Sequence, residues 1–224
     1  MRSLNSYREL IAHMPVMEQS FTTKLSTWEK KLEQRELDSL FGGREERTIS
    51  RSDILSKNFL PEFIHLVILW GYPRGMRGQS NDQKIFSNID AIGQIINYPD
   101  RKNLNEQDLQ DNFTRLSQIS GLGISTISKL LYFRTHVYDG YHALILDERL
   151  IRVFRNQIFQ EFAELKHISR ANALSNYMLY LRTMHIVASQ LRVPTENLEM
   201  FLFTFGNNLG GEVSPPGPHI YDNW

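Results

Sequence analysis

The sequence predicts an all-α protein, and three observations carry that expectation. Apolar residues recur at three- and four-residue intervals through most of the chain. No two segments alternate apolar and polar residues as paired strands would, and stretches bearing Gly or Pro separate the periodic segments. With 224 residues, 41% of them apolar and 22% charged, the chain can bury a core as one domain or as two halves.

Taken in order, Phe21, Leu25, Trp28, Leu32, Leu37 and Leu40 define a helical face between about Ser6 and Phe41, which Gly42-Gly43 ends. The polar connector GGREERTISRSD follows, with Ser50 or Ser52 suited to cap the next helix. LPEFIHLVILW, Leu60 to Trp70, is apolar almost all round and reads as the most buried helix, with Pro61 in its first turn where a missing N–H costs nothing. A loop from Gly71 to Gly78 breaks the pattern and carries Tyr72, Arg74, Met76 and Arg77. One amphipathic helix is expected from Ile85 to Ile96 and another from Leu109 to Ile119, leading into Gly121-Leu122-Gly123. Beyond Asp147, one helix is expected through Leu150, Val153, Phe154, Ile158 and Phe162, one from Leu174 to Leu191, and a last one from Thr195 to Gly206. Residues 1–49 thus read as an N-terminal helical region packing on a core of 50–210, and 211–224, rich in Gly and Pro, as an extended arm.

Composition narrows the chemistry. Formal net charge is zero, so only a local basic face can attract a polyanion. Without cysteine there is no disulfide, thiolate metal site, iron-sulfur cluster or cysteine nucleophile. The seven histidines include no helical pair at metal-binding spacing with an acid between, so neither metal nor other cofactor is expected. No apolar signal core stands at the N-terminus and no run is long enough to cross a bilayer. The default is a cytoplasmic monomer without a membrane partner.

The densest constellation runs from Ser117 to Arg155. A Gly-x-Gly turn between helices leaves backbone N–H groups open at the start of the second helix, where they and the helix dipole can hold a phosphate oxygen. Gly121 and Gly123 allow the turn and a close approach, and Ser125 and Thr126 add hydroxyl donors. The apolar run Ala143–Leu146 then ends in a lone acid, Asp147.

ISGLGISTISKLL resembles the helix-hairpin-helix element of the base-excision DNA glycosylases, and LDERLIRVF is similar to the Val-Asp-Thr-His-Val-x-Arg-Val stretch that follows it in that superfamily. The resemblance covers roughly residues 50–210 and points to the 8-oxoguanine-glycosylase-like branch. It implies two helical subdomains flanking a DNA-binding cleft, with double-stranded DNA as partner and removal of a base as the activity. It places the catalytic aspartate on Asp147, the Arg-Val pair on Arg152-Val153 and the hairpin glycines on Gly121 and Gly123. The implied base is an oxidised purine or a phage hypermodified cytosine, which leaves repair and antiviral defence both open. Lyase-competent members carry a lysine where Ser125 stands, so a monofunctional hydrolase is expected, with Lys129, about 6 Å further along the helix axis, as the exception to test. Glu148-Arg149 replace Thr-His after the aspartate.

Flipping a base out of the stack requires a pocket for the base and a wedge for the gap. Tyr72, Arg74, Met76 and Arg77 are the wedge candidates, and Tyr141, His142, Phe203 and Phe205, with Lys129, the pocket candidates. Each has a plainer reading: Asp147 as a helix N-cap, the phenylalanines as core, the arginines as loop charges, His65 as a satisfied core histidine. Two other functions stay open, a non-catalytic hairpin module that binds DNA and a helical interaction protein.

Overall fold

The computed structural model describes residues 1–76 and 81–210, so Arg77 and the proposed 211–224 arm lie outside the described residues. The chain is mostly helical, and its described residues divide into two compact units, one formed by residues 17–143 and the other by 1–16 together with the residues from 144 on.

The 17–143 unit corrects the expectation of a single helical face over Ser6–Phe41. Strand β1 (Ser20–Lys24) precedes two short helices, α2 (Leu25–Trp28) and α3 (Gln34–Phe41), and pairs antiparallel with β2 (Glu46–Ser50), Ser20 opposite Ser50 and Lys24 opposite Glu46. The strands escape a hydrophobic reading because their buried positions are Thr23 and Ile49 while Thr22 and Thr48 face solvent, their hydroxyls 2.8 Å apart. Thr23 is admitted to the interior because its hydroxyl donates to the Pro73 carbonyl and accepts from the Trp28 indole, both at 2.7 Å. Ser50 caps α4 (Arg51–Leu55) in a reciprocal box with Asp53.

Helix α5 (Leu60–Gly71) has Phe63 to Trp70 buried without interruption, Pro61 in its first turn, and the His65 ring donating from Nδ1 to the Pro61 carbonyl at 2.7 Å. The helix expected over 85–96 is two helices, α6 (Asn81–Phe86) and α7 (Ile89–Ile96). The Ser87 hydroxyl and Asn88 amide bond back to the carbonyls of Gln83 and Lys84, the local competition with which such residues interrupt a helix. Asn105 caps α8 (Glu106–Ser117), α9 (Ile124–Phe133) follows, and β3 (Val137–Tyr138) and β4 (Tyr141–His142) form a minimal hairpin. Tyr141 and His142 therefore stand on a short strand, which the all-α expectation did not include.

Between α9 and that hairpin lies a buried polar chain. His136 is fully buried, its Nε2–H donating to the Ile96 carbonyl at 2.9 Å and its Nδ1 accepting from the Tyr138 hydroxyl at 2.8 Å, which in turn accepts from Asn112 at 2.9 Å. Burial, with Arg101 and Arg134 adding to it, holds the imidazole down from 6.5 to about 4 although the Ile96 bond opposes the shift; Tyr98 and Tyr138 are the other titratable groups against it, and burial pushes the Tyr138 phenol up. The unfolded chain takes up the proton first as pH falls. Stability is therefore complete above about pH 6.5 and drops by about 3 kcal/mol as pH falls towards about 4. Urea titrations from pH 7.5 to 4 are expected to show this as a steeper profile for wild type than for His136→Gln, which keeps a donor and an acceptor but cannot titrate.

In the other unit, a short 3-10 turn (Leu4–Tyr7) leads into α1 (Arg8–Ala12), which stops ahead of Pro15. The helix expected from Leu150 to Phe162 is α10 (Glu148–Arg155) followed by a 3-10 turn over Gln160–Leu165, because Gln157 takes a left-handed φ of 49° and ends the first. Helices α11 (Tyr177–Leu191) and α12 (Thr195–Phe205) complete the unit. No helix of the described residues is long and apolar enough to cross a membrane.

Candidate active site

The expected residues lie in both units: contacts join Tyr72, Ser125, Thr126 and Lys129 in one, and link Asp147 to Phe203 through Arg149 in the other, while no described contact brings Arg74, Met76, Tyr141 or His142 to either cluster. In the 17–143 unit, α8 and α9 are joined by Gln118–Gly123, with Gly121 at φ +95° and Gly123 as the N-cap residue of α9. The Gly123 carbonyl accepts from Thr126 and Ile127, at 3.0 and 2.9 Å, which leaves the N–H groups of Ile124 and Ser125 as the open donors of the first turn among the described residues. The two glycines differ. A Cβ on Gly121 would stand 2.7 Å from the Asn81 carbonyl oxygen, whereas one on Gly123 would meet nothing within 4 Å. Gly121 is thus required by the fold, and Gly123 is required by nothing inside the protein.

Lys129 lies one turn beyond Ser125 and is 94% buried in a chain that admits few unpaired cations. Its Nζ reaches back to donate to the Ser125 hydroxyl at 2.6 Å and the Ser125 carbonyl at 3.1 Å. The ring of Tyr72 lies under it, 5.4 Å from Nζ to the centroid, and the Tyr72 hydroxyl is 2.7 Å from the buried Thr126 hydroxyl. Among the described residues, no carboxylate comes within ion-pairing distance of this amine. Ser125 and Thr126 therefore have their hydroxyls engaged, with Lys129 and Tyr72. Arg74 is exposed and Met76 half-buried in the turn after α5, Tyr141 is half-buried and His142 exposed.

The second cluster is set by the extended run that leads to Asp147. Ala143, Leu144, Ile145 and Leu146 are buried outside the named strands; the Ala143 N–H donates to the His136 carbonyl at 2.8 Å, and Leu144 and Ile145 need other partners. Two tyrosines of α11 supply them: the Tyr177 hydroxyl donates to the Leu144 carbonyl at 2.5 Å and accepts from the Leu144 N–H at 3.2 Å, and the Tyr180 hydroxyl donates to the Ile145 carbonyl at 2.7 Å. Sequence reasoning missed both, since tyrosines three apart on an apolar helix look like ordinary core. They hold the two residues that precede Leu146 and Asp147.

Asp147 is the N-cap of α10, its Oδ1 accepting from Arg149 N–H at 2.9 Å and Leu150 N–H at 3.1 Å. Its plainer reading is therefore true as far as it goes. Oδ2 has no hydrogen-bond partner among the described residues, so one oxygen fixes the carboxylate and the other is uncommitted. The Arg149 guanidinium stacks on the half-buried Phe203 ring, 4.7 Å to its centroid, and Asn207 donates to the Arg149 carbonyl at 3.1 Å. Phe205 is half-buried and packs on the fully buried Phe201, 5.7 Å between ring centroids. Among the described residues no group of three or more His, Asp or Glu side chains is placed to hold a metal ion.

A family model described as "Putative 8-oxoguanine DNA glycosylase OGG-like protein" matches residues 14–203. The chain belongs to this OGG-like family. The comparisons with curated proteins and with solved structures gave no match. The OGG-like region spans both clusters, from the strand pair through the α8–α9 turn, Lys129 and Asp147 to Phe203, and ends two residues before Phe205.

Proposed function

We infer that this OGG-like protein is a DNA glycosylase that takes a damaged or modified base out of duplex DNA and breaks its N-glycosidic bond, leaving an abasic site. The observation that carries the reading is Asp147: a carboxylate inside the matched family region, anchored through one oxygen at a helix start, with the other uncommitted. Cleavage of the bond passes through an oxocarbenium-like sugar, which a fixed carboxylate stabilises while it orients the attacking water. The α8–α9 turn supplies the phosphate contact through the open Ile124 and Ser125 N–H groups. Phe203, with Arg149, offers a stacking surface for an extruded base.

The test is an abasic-site assay on duplexes carrying 8-oxoguanine or glucosylated hydroxymethylcytosine, the two substrate classes the reading favours. Base release from either supports it. Binding without release from any modified duplex would leave a non-catalytic DNA-binding module.

One observation favours a covalent route over direct hydrolysis. Ser125 occupies the position where lyase-competent relatives carry lysine, yet the Lys129 amine is held against the oxygens of that same Ser125. In this route the deprotonated Nζ bonds to C1′ as the bond to the base breaks, the base leaves with the electron pair and takes a proton from the newly alkylated nitrogen, and the C1′–O4′ bond then opens, O4′ taking a proton from water, to give an iminium. Borohydride delivers hydride to that iminium and fixes the protein on DNA. Trapping is expected for wild type and lost in Lys129→Ala; no trapping in wild type returns the mechanism to water.

A further inference from the structure

Tyr72 sits where α5 ends, and two contacts bind it to Lys129 and the start of α9, with a third made by Gly71 before it. Its hydroxyl is tied to the buried Thr126 hydroxyl at 2.7 Å, which anchors the outer end of the side chain at the start of α9. Its face lies under the Lys129 amine. The residue before it, Gly71, passes so close to the lysine stem that a Cβ there would stand 3.0 Å from Cδ and 3.1 Å from Cε. The amine is thus fenced by the Gly71 backbone on one side, the Tyr72 ring on another and the Ser125 oxygens on a third, with no carboxylate among the described residues to neutralise it.

We propose that Tyr72 is the positioning residue for the Lys129 amine, which it holds over its ring face against Ser125, rather than a wedge inserted into DNA. A carboxylate would hold the lysine equally well but would tie up the nitrogen as an ion pair. A ring quadrupole and a hydroxyl fix its direction by weaker contacts that a substrate carbon can replace. Gly71 belongs to the same device, because any side chain there displaces the stem. The catalytic consequence rests on the covalent reading of Lys129; the placement of the amine does not.

The experiment compares Tyr72→Phe, Tyr72→Leu and Gly71→Ala in the full chain by three readouts. Protein carrying 13C-lysine reports the Lys129 Hε protons, assigned by their loss in Lys129→Ala and shifted upfield by the Tyr72 ring. Single-turnover release with borohydride trapping reports chemistry, and affinity for duplex DNA bearing a tetrahydrofuran abasic analogue reports binding. Tyr72→Phe, which keeps the ring, is expected to retain the upfield shift and to react within about threefold of wild type. Tyr72→Leu and Gly71→Ala are expected to move the resonance and to lose at least about tenfold in rate, with DNA affinity within about twofold, the pattern of a lost positioning contact. An unmoved Lys129 resonance in Tyr72→Leu overturns the proposal, as does a loss in DNA affinity equal to the loss in rate, which would mark a wedge. A ring-shifted Lys129 in a wild type that traps no DNA supports the placement and overturns the covalent reading alone.

Discussion

Asp147→Asn is expected to reduce single-turnover base release by about a thousandfold or more while leaving the protein folded and bound to DNA. The reduction follows from removing the negative charge that meets the sugar cation, a contribution of the same order as other preorganised electrostatic groups. The intact fold follows from the cap. Asn caps a helix as well as Asp, and its Oδ1 can keep both bonds to the N–H groups of Arg149 and Leu150. Asp147→Ala differs, because it loses both the charge and the cap and should cost about 1 kcal/mol of stability besides the activity. Denaturant midpoints beside single-turnover rates for the two variants separate the roles. Base release by Asp147→Asn at the wild-type rate would leave the residue as a cap and nothing more.

The second large effect separates two glycines that look alike in the sequence. Gly121→Ala should lower stability by roughly 2 kcal/mol or more, since φ +95° is strained for any side chain and its Cβ would press on the Asn81 carbonyl. Gly123→Ala should change stability by less than about 1 kcal/mol, since its backbone is extended and open space lies beside it. On the proposed function that space belongs to a phosphate, so affinity for duplex DNA should fall about tenfold in Gly123→Ala. The slope of log affinity against log salt should flatten by about 0.9 if one phosphate contact is lost. Thermal melts and salt-dependent binding isotherms on the two variants check both halves. Full affinity in a folded Gly123→Ala would remove the turn from the DNA contact.

The long buried helix was legible because a run of eight apolar or aromatic-packed positions from Phe63 to Trp70 has no other way to be satisfied. The same holds for the cap at Ser50, for the helices flanking Gly121 and for the acid at the head of α10, all of which follow from residues within a few positions of one another. A glycosylase-like family was legible for a related reason, since the two stretches that carried the resemblance, ISGLGISTISKLL and LDERLIRVF, are local and stand in order. The strand pair Ser20–Lys24 with Glu46–Ser50 was not, because each strand is five residues long and polar, and only its partner, 26 positions away at the Thr22–Thr48 pair, makes it a strand. Nor were the breaks at Ser87-Asn88 and Gln157, where side-chain bonding and a left-handed residue override a continuous apolar period.

For the candidate site, the sequence by itself determined which groups are present: a Gly-x-Gly turn, an aspartate at a helix start, and a serine at the position where lyase-competent members of the resembled superfamily carry lysine. Tertiary structure decided how they are used. It brought the Lys129 amine back to Ser125 over a ring from another helix end, showed Gly123 but not Gly121 to be free of internal demand, and braced the approach to Asp147 with Tyr177 and Tyr180. Apart from the Lys129–Ser125 contact, which spans one helical turn, these contacts join residues some 30 to more than 50 positions apart, closed by packing and hydrogen bonding that no local period encodes.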